Sequence, residues 1–172
     1  MDPFVSEIRS VLVTTPDRWQ RLVQTLPDDL LRRKPMPGEW SALECLSHLV
    51  DTEPVYTYRI HCFQAGKDFS SFDPDTEGSE MSDQPAIALA AALGKLRQDS
   101  LNMLETLSAA DLDRRAHHSE LGPVTLREML NNWAAHDLMH TVQAERALMQ
   151  PFIDDCGPWQ KFYDDHWVKA KK

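Results

Sequence analysis

No apolar stretch in this chain approaches the roughly twenty residues that a membrane-spanning helix needs, and Met1 to Ser10 has neither the basic start nor the apolar segment of a signal peptide. A cytoplasmic location is expected. Cysteine is scarce: Cys45, Cys62 and Cys156 are an odd number with no paired-ligand spacing. That argues against a disulfide framework and for reduced thiols. Basic residues are outnumbered, 18 Lys and Arg against 27 Asp and Glu, and the net charge is -9. Such a balance offers no electrostatic footprint for nucleic acid or an anionic membrane. The sequence also lacks a glycine-rich phosphate loop, a nucleophile elbow, a recognisable thiol-binding signature, an internal repeat and any segment with the two-residue period of a strand.

What is present is helical periodicity. From Val5 to Leu26 apolar residues recur at Ile8, Leu12, Trp19, Leu22/Val23 and Leu26. Thr14-Thr15-Pro16 interrupts them, with Thr15 placed as an N-cap and Pro16 at the first helical position. Two helices and one kinked helix fit equally. Asp28 to Lys34 adds a short turn before Pro35-Met36-Pro37-Gly38 breaks the chain. Ser41 and Glu44 form a capping box opening a second helix near Trp40, with Leu43, Leu46 and Leu49/Val50 inward and Pro54 as an interior kink. It ends near Gly66.

Residues 67–84 are polar, acidic and aperiodic, the pattern of a mobile loop or a flap. A third helix spans Pro85 to Leu107, and Ser108 to Val124 connects it to a fourth. The capping box Thr125/Glu128 opens that last helix, which runs to about Met149. The tail, 150–172, is made irregular by Pro151, Gly157 and Pro158, yet Phe152, Trp159, Phe162, Tyr163 and Trp167 give it the means to dock. The expectation is one all-α domain over 1–172, a four-helix bundle with an irregular aromatic-rich C-terminal tail.

On the fourth helix the apolar stripe Leu126, Met129/Leu130, Trp133 continues at the same steps into His136 and His140. At i and i+4 both imidazoles lie on one face and can reach one ion. A lone histidine on an apolar face is more often a hydrogen-bonded core residue, and an i, i+4 pair also arises on solvated faces, so a third ligand from another helix is decisive. His48, at the edge of the second helix's stripe, is the best candidate. His61, thirteen residues on, is rotated to the other side, and His117, His118 and His166 fall in loop or tail. HDLMH is not the H-E-x-x-H of a zinc protease: the carboxylate is Asp137, one methylene shorter, and no third ligand follows at a familiar spacing.

Two stretches together, PGEWSALECLSHLVDTE and GPVTLREMLNNWAAHDLMHTVQ, resemble the two signatures of the DinB/YfiT-like superfamily. The likeness extends to TPDRWQRL and to the Gly157-Pro158-Trp159 tail. The resemblance implies a four-helix bundle, often a homodimer, with one divalent metal held by His48, His136 and His140. His118 falls where many members have a loop histidine, without being a ligand. Relatives include transferases and isomerases that use low-molecular-weight thiols.

Three neutral imidazoles leave a divalent ion an open position, the arrangement of a catalytic site. Zinc or nickel is the first choice of ion, and iron or manganese is compatible. Glu44 and Asp137 are placed to orient an imidazole N–H, against the plainer readings of cap and ion-pair partner. Cys45, Trp40, Trp133 and Met139 read as packing, and Glu53 with Arg59 as a possible polar pair. The leading expectation is a metal-dependent enzyme that transfers a small thiol to an electrophile or hydrolyses a small substrate. Alternatives are a non-catalytic stress-related protein whose metal is structural, and an interaction module built on the acidic loop and the aromatic tail.

Overall fold

A computed structural model describes residues 1–78 and 83–168; residues 79–82 of the acidic loop and 169–172 of the tail lie outside the described residues. The helices are α1 (Pro3–Leu12), α2 (Thr14–Thr25), α3 (Asp28–Arg32), α4 (Ala42–Ala65), α5 (Pro74–Glu77), α6 (Ala86–Glu105), α7 (Ala109–Leu112) and α8 (Leu126–Asp155). Four arms make the bundle: α1 with α2, then α4, α6 and α8. The chain settles the first arm as two helices. Their single joint, Val13, has right-handed helical dihedrals, so the break comes from Pro16, which has no N–H to offer the Leu12 carbonyl. Thr15 does not cap. It is buried and donates its hydroxyl to the Asp137 carboxylate. Both predicted capping boxes are formed, Ser41 with Glu44 and Thr125 with Glu128, and Gly66 ends α4 in the left-handed region at φ 63°.

The expectation of no strand is corrected by a hairpin: β1 (Arg115–His118) pairs antiparallel with β2 (Gly122–Thr125). Its alternation was hidden because the inward residues of β1 are Ala116 and His118, not the large apolar residues by which a strand is read. Gly122, at φ 76°, makes the return. The acidic loop is fastened there, since the Phe69 N–H donates to the His117 carbonyl and the Phe69 carbonyl accepts from Ser119.

The last helix also outruns expectation, continuing through Pro151 to Asp155 before a 3-10 helix over Gly157–Phe162. Three rings of the tail, Phe152, Trp159 and Phe162, stay 64–69% exposed, whereas Trp167 is half-buried and lines a cavity with Trp40. Backbone polar groups of the tail are bonded to the last helix. The His166 carbonyl accepts from Arg146 at 2.9 Å and from Gln150 at 3.1 Å, and the Val168 N–H donates to Gln150.

Two apolar clusters fill the interior. One gathers Leu12, Ile60, Phe63, Leu104, Leu130 and Trp133; the other Trp19, Leu46, Leu49, Leu93, Ala144 and Leu148. On every arm a polar residue stands between them: Thr15, Glu53, Arg97 and Asp137. Arg97 is 1% exposed. It pairs with Glu53 through two bonds of 2.6 and 2.9 Å, with Asp137 at 2.6 Å, and with the Leu12 carbonyl at 2.5 Å. The last bond meets the acceptor that Pro16 leaves open. Glu53 thus pairs across the core with Arg97, not with its helix neighbour Arg59.

Removing the cation leaves two buried carboxylates and a carbonyl without it. Arg97→Leu is expected to lose roughly 3–5 kcal/mol of stability, measured by urea unfolding at pH 7; a loss below about 1 kcal/mol would show that the layer does not carry the fold.

Candidate metal centre

The polar layer sets how α4 and α8 face one another. Asp137 turns inward to Arg97, and on a helix that places its neighbours His136 and His140, one turn apart, toward α4. On α4, Glu53 takes the inward position facing α6, which turns His48 toward α8. The three predicted histidines therefore meet. One nitrogen from each lies within 4.8 Å of the others, and His48 Nε2 is 3.1 Å from His136 Nε2. That separation suits two nitrogens each roughly 2.0–2.1 Å from one ion. Among the described residues this is the group of histidine, cysteine or carboxylate side chains arranged to hold a metal.

Protonation favours that role. Burial, and then the neighbouring His140, push the His48 pKa down to about 4. Burial and the charges of His140, His48 and Arg59 push His136 down to about 3. Burial lowers His140 as well, against the opposing pull of Gln143 and Asp137. All three rings are neutral near pH 7 and present lone pairs. His140 Nδ1 lies 2.9 Å from Gln143 Oε1. With Nδ1–H donating to that oxygen, Nε2 keeps its lone pair for a ligand role.

Aromatic rings wall the group. Trp40 stacks on His140 with centroids 5.7 Å apart and planes at 18°, and Tyr56, itself stacked on Trp133, meets the edge of His136 at 5.6 Å. The site is not sealed. His48 and His136 line a cavity of about 280 Å³ that runs along α4 past Thr52, Val55 and Tyr56 to Arg59. His48 also lines a smaller one of about 150 Å³ beside Glu44, Ser47 and Asp51. A larger cavity of about 550 Å³ lies behind Trp40 and Gln143, against Trp167 of the tail, and holds no imidazole.

The other predicted residues fall elsewhere. Glu44 bonds to Ser41 and to Lys34 at 2.7 Å, and Asp137 to Arg97 and Thr15. Neither carboxylate holds an imidazole N–H. Gln143 does so, at three residues from His140, a helical spacing the sequence displays but which only matters once His140 is a ligand. Cys45 is fully buried, and burial pushes its thiol up to about 12, so it packs as an inert side chain. Trp133 packs in the core, Met139 is exposed, and Trp40 does more than pack. His61, His117 and His166 are exposed. His118 is buried under Phe69, and its Nδ1 accepts from the Glu120 N–H.

Comparison with known proteins matches this geometry to a family. The model of the DinB superfamily matches residues 12–144. YfiT from Bacillus subtilis, described as a probable metal-dependent hydrolase with an unusual four-helix bundle topology, is 18% identical. The match covers 88% of this chain and 90% of that one, with a TM-score of 0.77. A DinB-like protein from the same organism, YjoA, is 19% identical over 85% and 92% of the two chains, with a TM-score of 0.59. These identities speak for the fold alone. No curated protein matches, and no helix among the described residues is long and apolar enough to cross a membrane.

The depressed imidazole values carry a pH dependence. The unfolded chain takes up protons near the ordinary value of about 6.5 while folded His48 and His136 resist them until about 4 and 3. Stability of the chelated protein is therefore full above pH 6.5 and falls as the pH drops toward 4. Urea midpoints between pH 7 and pH 5 are expected to decline in the parent and to flatten in His48→Leu/His136→Leu. An equally steep decline in the double variant would remove these rings as the cause.

Proposed function

From the premise that the chain belongs to the DinB superfamily, we propose that it is a metal-dependent enzyme acting on a small molecule. His48, His136 and His140 are the proposed ligands of one divalent ion, zinc or nickel first. The observation that carries this reading is the incomplete ligand set. Three imidazoles converge, no fourth protein donor joins them among the described residues, and two of them border an open cavity. A structural staple would be expected to close its shell with protein ligands. The nearest thiol, Cys45, is buried in the packing and protonated.

The chemistry such an ion supplies is Lewis acidity, which brings a water or thiol to its anionic form near neutral pH and polarises an electrophile. The chain's own residues prepare for it. Burial keeps the imidazoles unprotonated, Gln143 fixes the His140 tautomer, and the faces of Trp40 and Tyr56 hold the rings in place and limit water. Between the two reactions open to such a site, thiol transfer to an electrophile follows the resemblance of the two signatures. Hydrolysis follows the description of YfiT.

The purified protein is expected to hold one divalent ion by elemental analysis, and His48→Ala and His136→Ala to lose it. Gln143→Leu should weaken binding roughly 10–100-fold. Loaded with zinc or nickel, the parent should accelerate conjugation of a small thiol to chlorodinitrobenzene, or hydrolysis of an activated ester, and both alanine variants should fall to the uncatalysed rate. Full metal retention in both variants would end the three-histidine assignment, and no rate in either assay would end the enzymatic one.

A further inference from the structure

The cavity beside the histidines is lined by one cation, and no carboxylate pairs with it among the described residues. Arg59 follows His48 on α4 by eleven residues, three turns with an offset of only roughly 20°. Both side chains reach the same cavity of about 280 Å³. One Arg59 terminal nitrogen, Nη2, donates to the Ser70 carbonyl at 3.3 Å, and the guanidinium lies 5.3 Å from the centroid of the Phe69 ring. The Nε–H, however, is shielded from solvent and finds no acceptor among the described residues. A desolvated donor left in this way costs stability, and it marks Arg59 as a guanidinium whose bonding the fold does not complete.

The chain has ample means to complete it. It carries nine more acidic than basic residues, and it gives the deeper Arg97 two carboxylates. Two other side-chain nitrogens are buried and unpaired, Arg9 Nε and Trp19 Nε1. Arg9 has an ion pair with Glu105, and neither borders the histidines. Arg59 differs on both counts, being without a carboxylate among the described residues and lining the cavity of the histidines.

We propose that Arg59 anchors the carboxylate of a small substrate and so points its other end at the three histidines. A single guanidinium, planar and with a second terminal nitrogen beside the one bonded to Ser70, matches a single carboxylate. A phosphate, with more charge, would call for a second cation, and no other Lys or Arg lines this cavity. The Cα atoms of His48 and Arg59 are separated by roughly 16 Å along the helix, and both side chains extend into the space between. That leaves a length suited to an aromatic acid, with Val55, Tyr56 and Phe72 along the middle. The volume is at the low end of the range for small-molecule sites, roughly 300–1,000 Å³. The direction of the substrate rests on the enzymatic reading above, whereas the Arg59 contact does not require the ion.

Calorimetric titration of the full-length protein, zinc-loaded and chelated, with benzoate and with benzamide tests this. Benzoate is expected to bind both forms about tenfold more tightly than benzamide. Arg59→Gln should abolish that preference, weakening benzoate far more than benzamide, and Arg59→Lys, which keeps the charge but not the fork, should keep part of it. Thermal melts monitor folding; if Arg59→Gln does not fold, the parent preference and its reduction in Arg59→Lys decide. No preference in the parent, or a preference indifferent to both substitutions, overturns the proposal. Benzoate binding that disappears on chelation and ignores Arg59→Gln would put the carboxylate on the ion, sinking this inference but not the metal reading. Arg59-dependent binding in a protein that never holds metal would do the reverse. Tighter binding of phenyl phosphate than of benzoate would overturn the carboxylate as the recognised group.

Discussion

The guanidinium of Arg97 is the point at which all four arms of the bundle are tied. It is buried, and burial by itself lowers an arginine pKa. Here the bonds and charges of Glu53 and then Asp137 outweigh that and hold it raised. The cluster that results reaches α1 through the Leu12 carbonyl, α2 through Thr15, α4 through Glu53 and α8 through Asp137. An apolar core of this size could slide by a turn and still bury leucine against leucine. A layer of donors and acceptors that must face each other has one axial register, and the two apolar clusters are stacked above and below it.

The position of the histidines follows from that register. Asp137 stands next to His136 and three residues before His140, so fixing one carboxylate fixes the rotation of the helix that carries two imidazoles. Glu53 does the same for His48 from α4. The layer touches no imidazole directly; it acts by orienting helices. Gln143 and the rings of Trp40 and Tyr56 then set each ring in its own plane. This division separates what holds the bundle from what reaches the cavity, and it leaves the three imidazoles neutral at the edge of open space.

The bundle and the three histidines were legible in the sequence because both are written in helical period: stripes at three- and four-residue steps, two capping boxes, and histidines in place of leucines. Features that depend on partners far away in the chain were not. Glu53 looked like a neighbour of Arg59 because both lie on one helix, yet its partner Arg97 is forty-four residues away. Asp137 beside a histidine left an imidazole contact and an ion pair both open, and its burial against Arg97 decides for the ion pair. The hairpin escaped because alanine and histidine form its inward face, and the bonds of the tail's backbone carbonyl at His166 to Arg146 and Gln150 have no signature in a list of aromatic residues.

Pro16 shows how these long-range ties link residues that share no contact of side chains. In an unbroken helix the amide of residue 16 would occupy the Leu12 carbonyl; proline withholds it, and Arg97 takes the vacancy with one of its terminal nitrogens. The imino acid and the guanidinium are thus two halves of one device, separated by eighty-one positions. Restoring an ordinary amide at 16 would set up a competition for a single oxygen, straightening the first arm at the expense of the layer. A change at 16 is therefore felt at 97, across the core and out of reach of the proline ring.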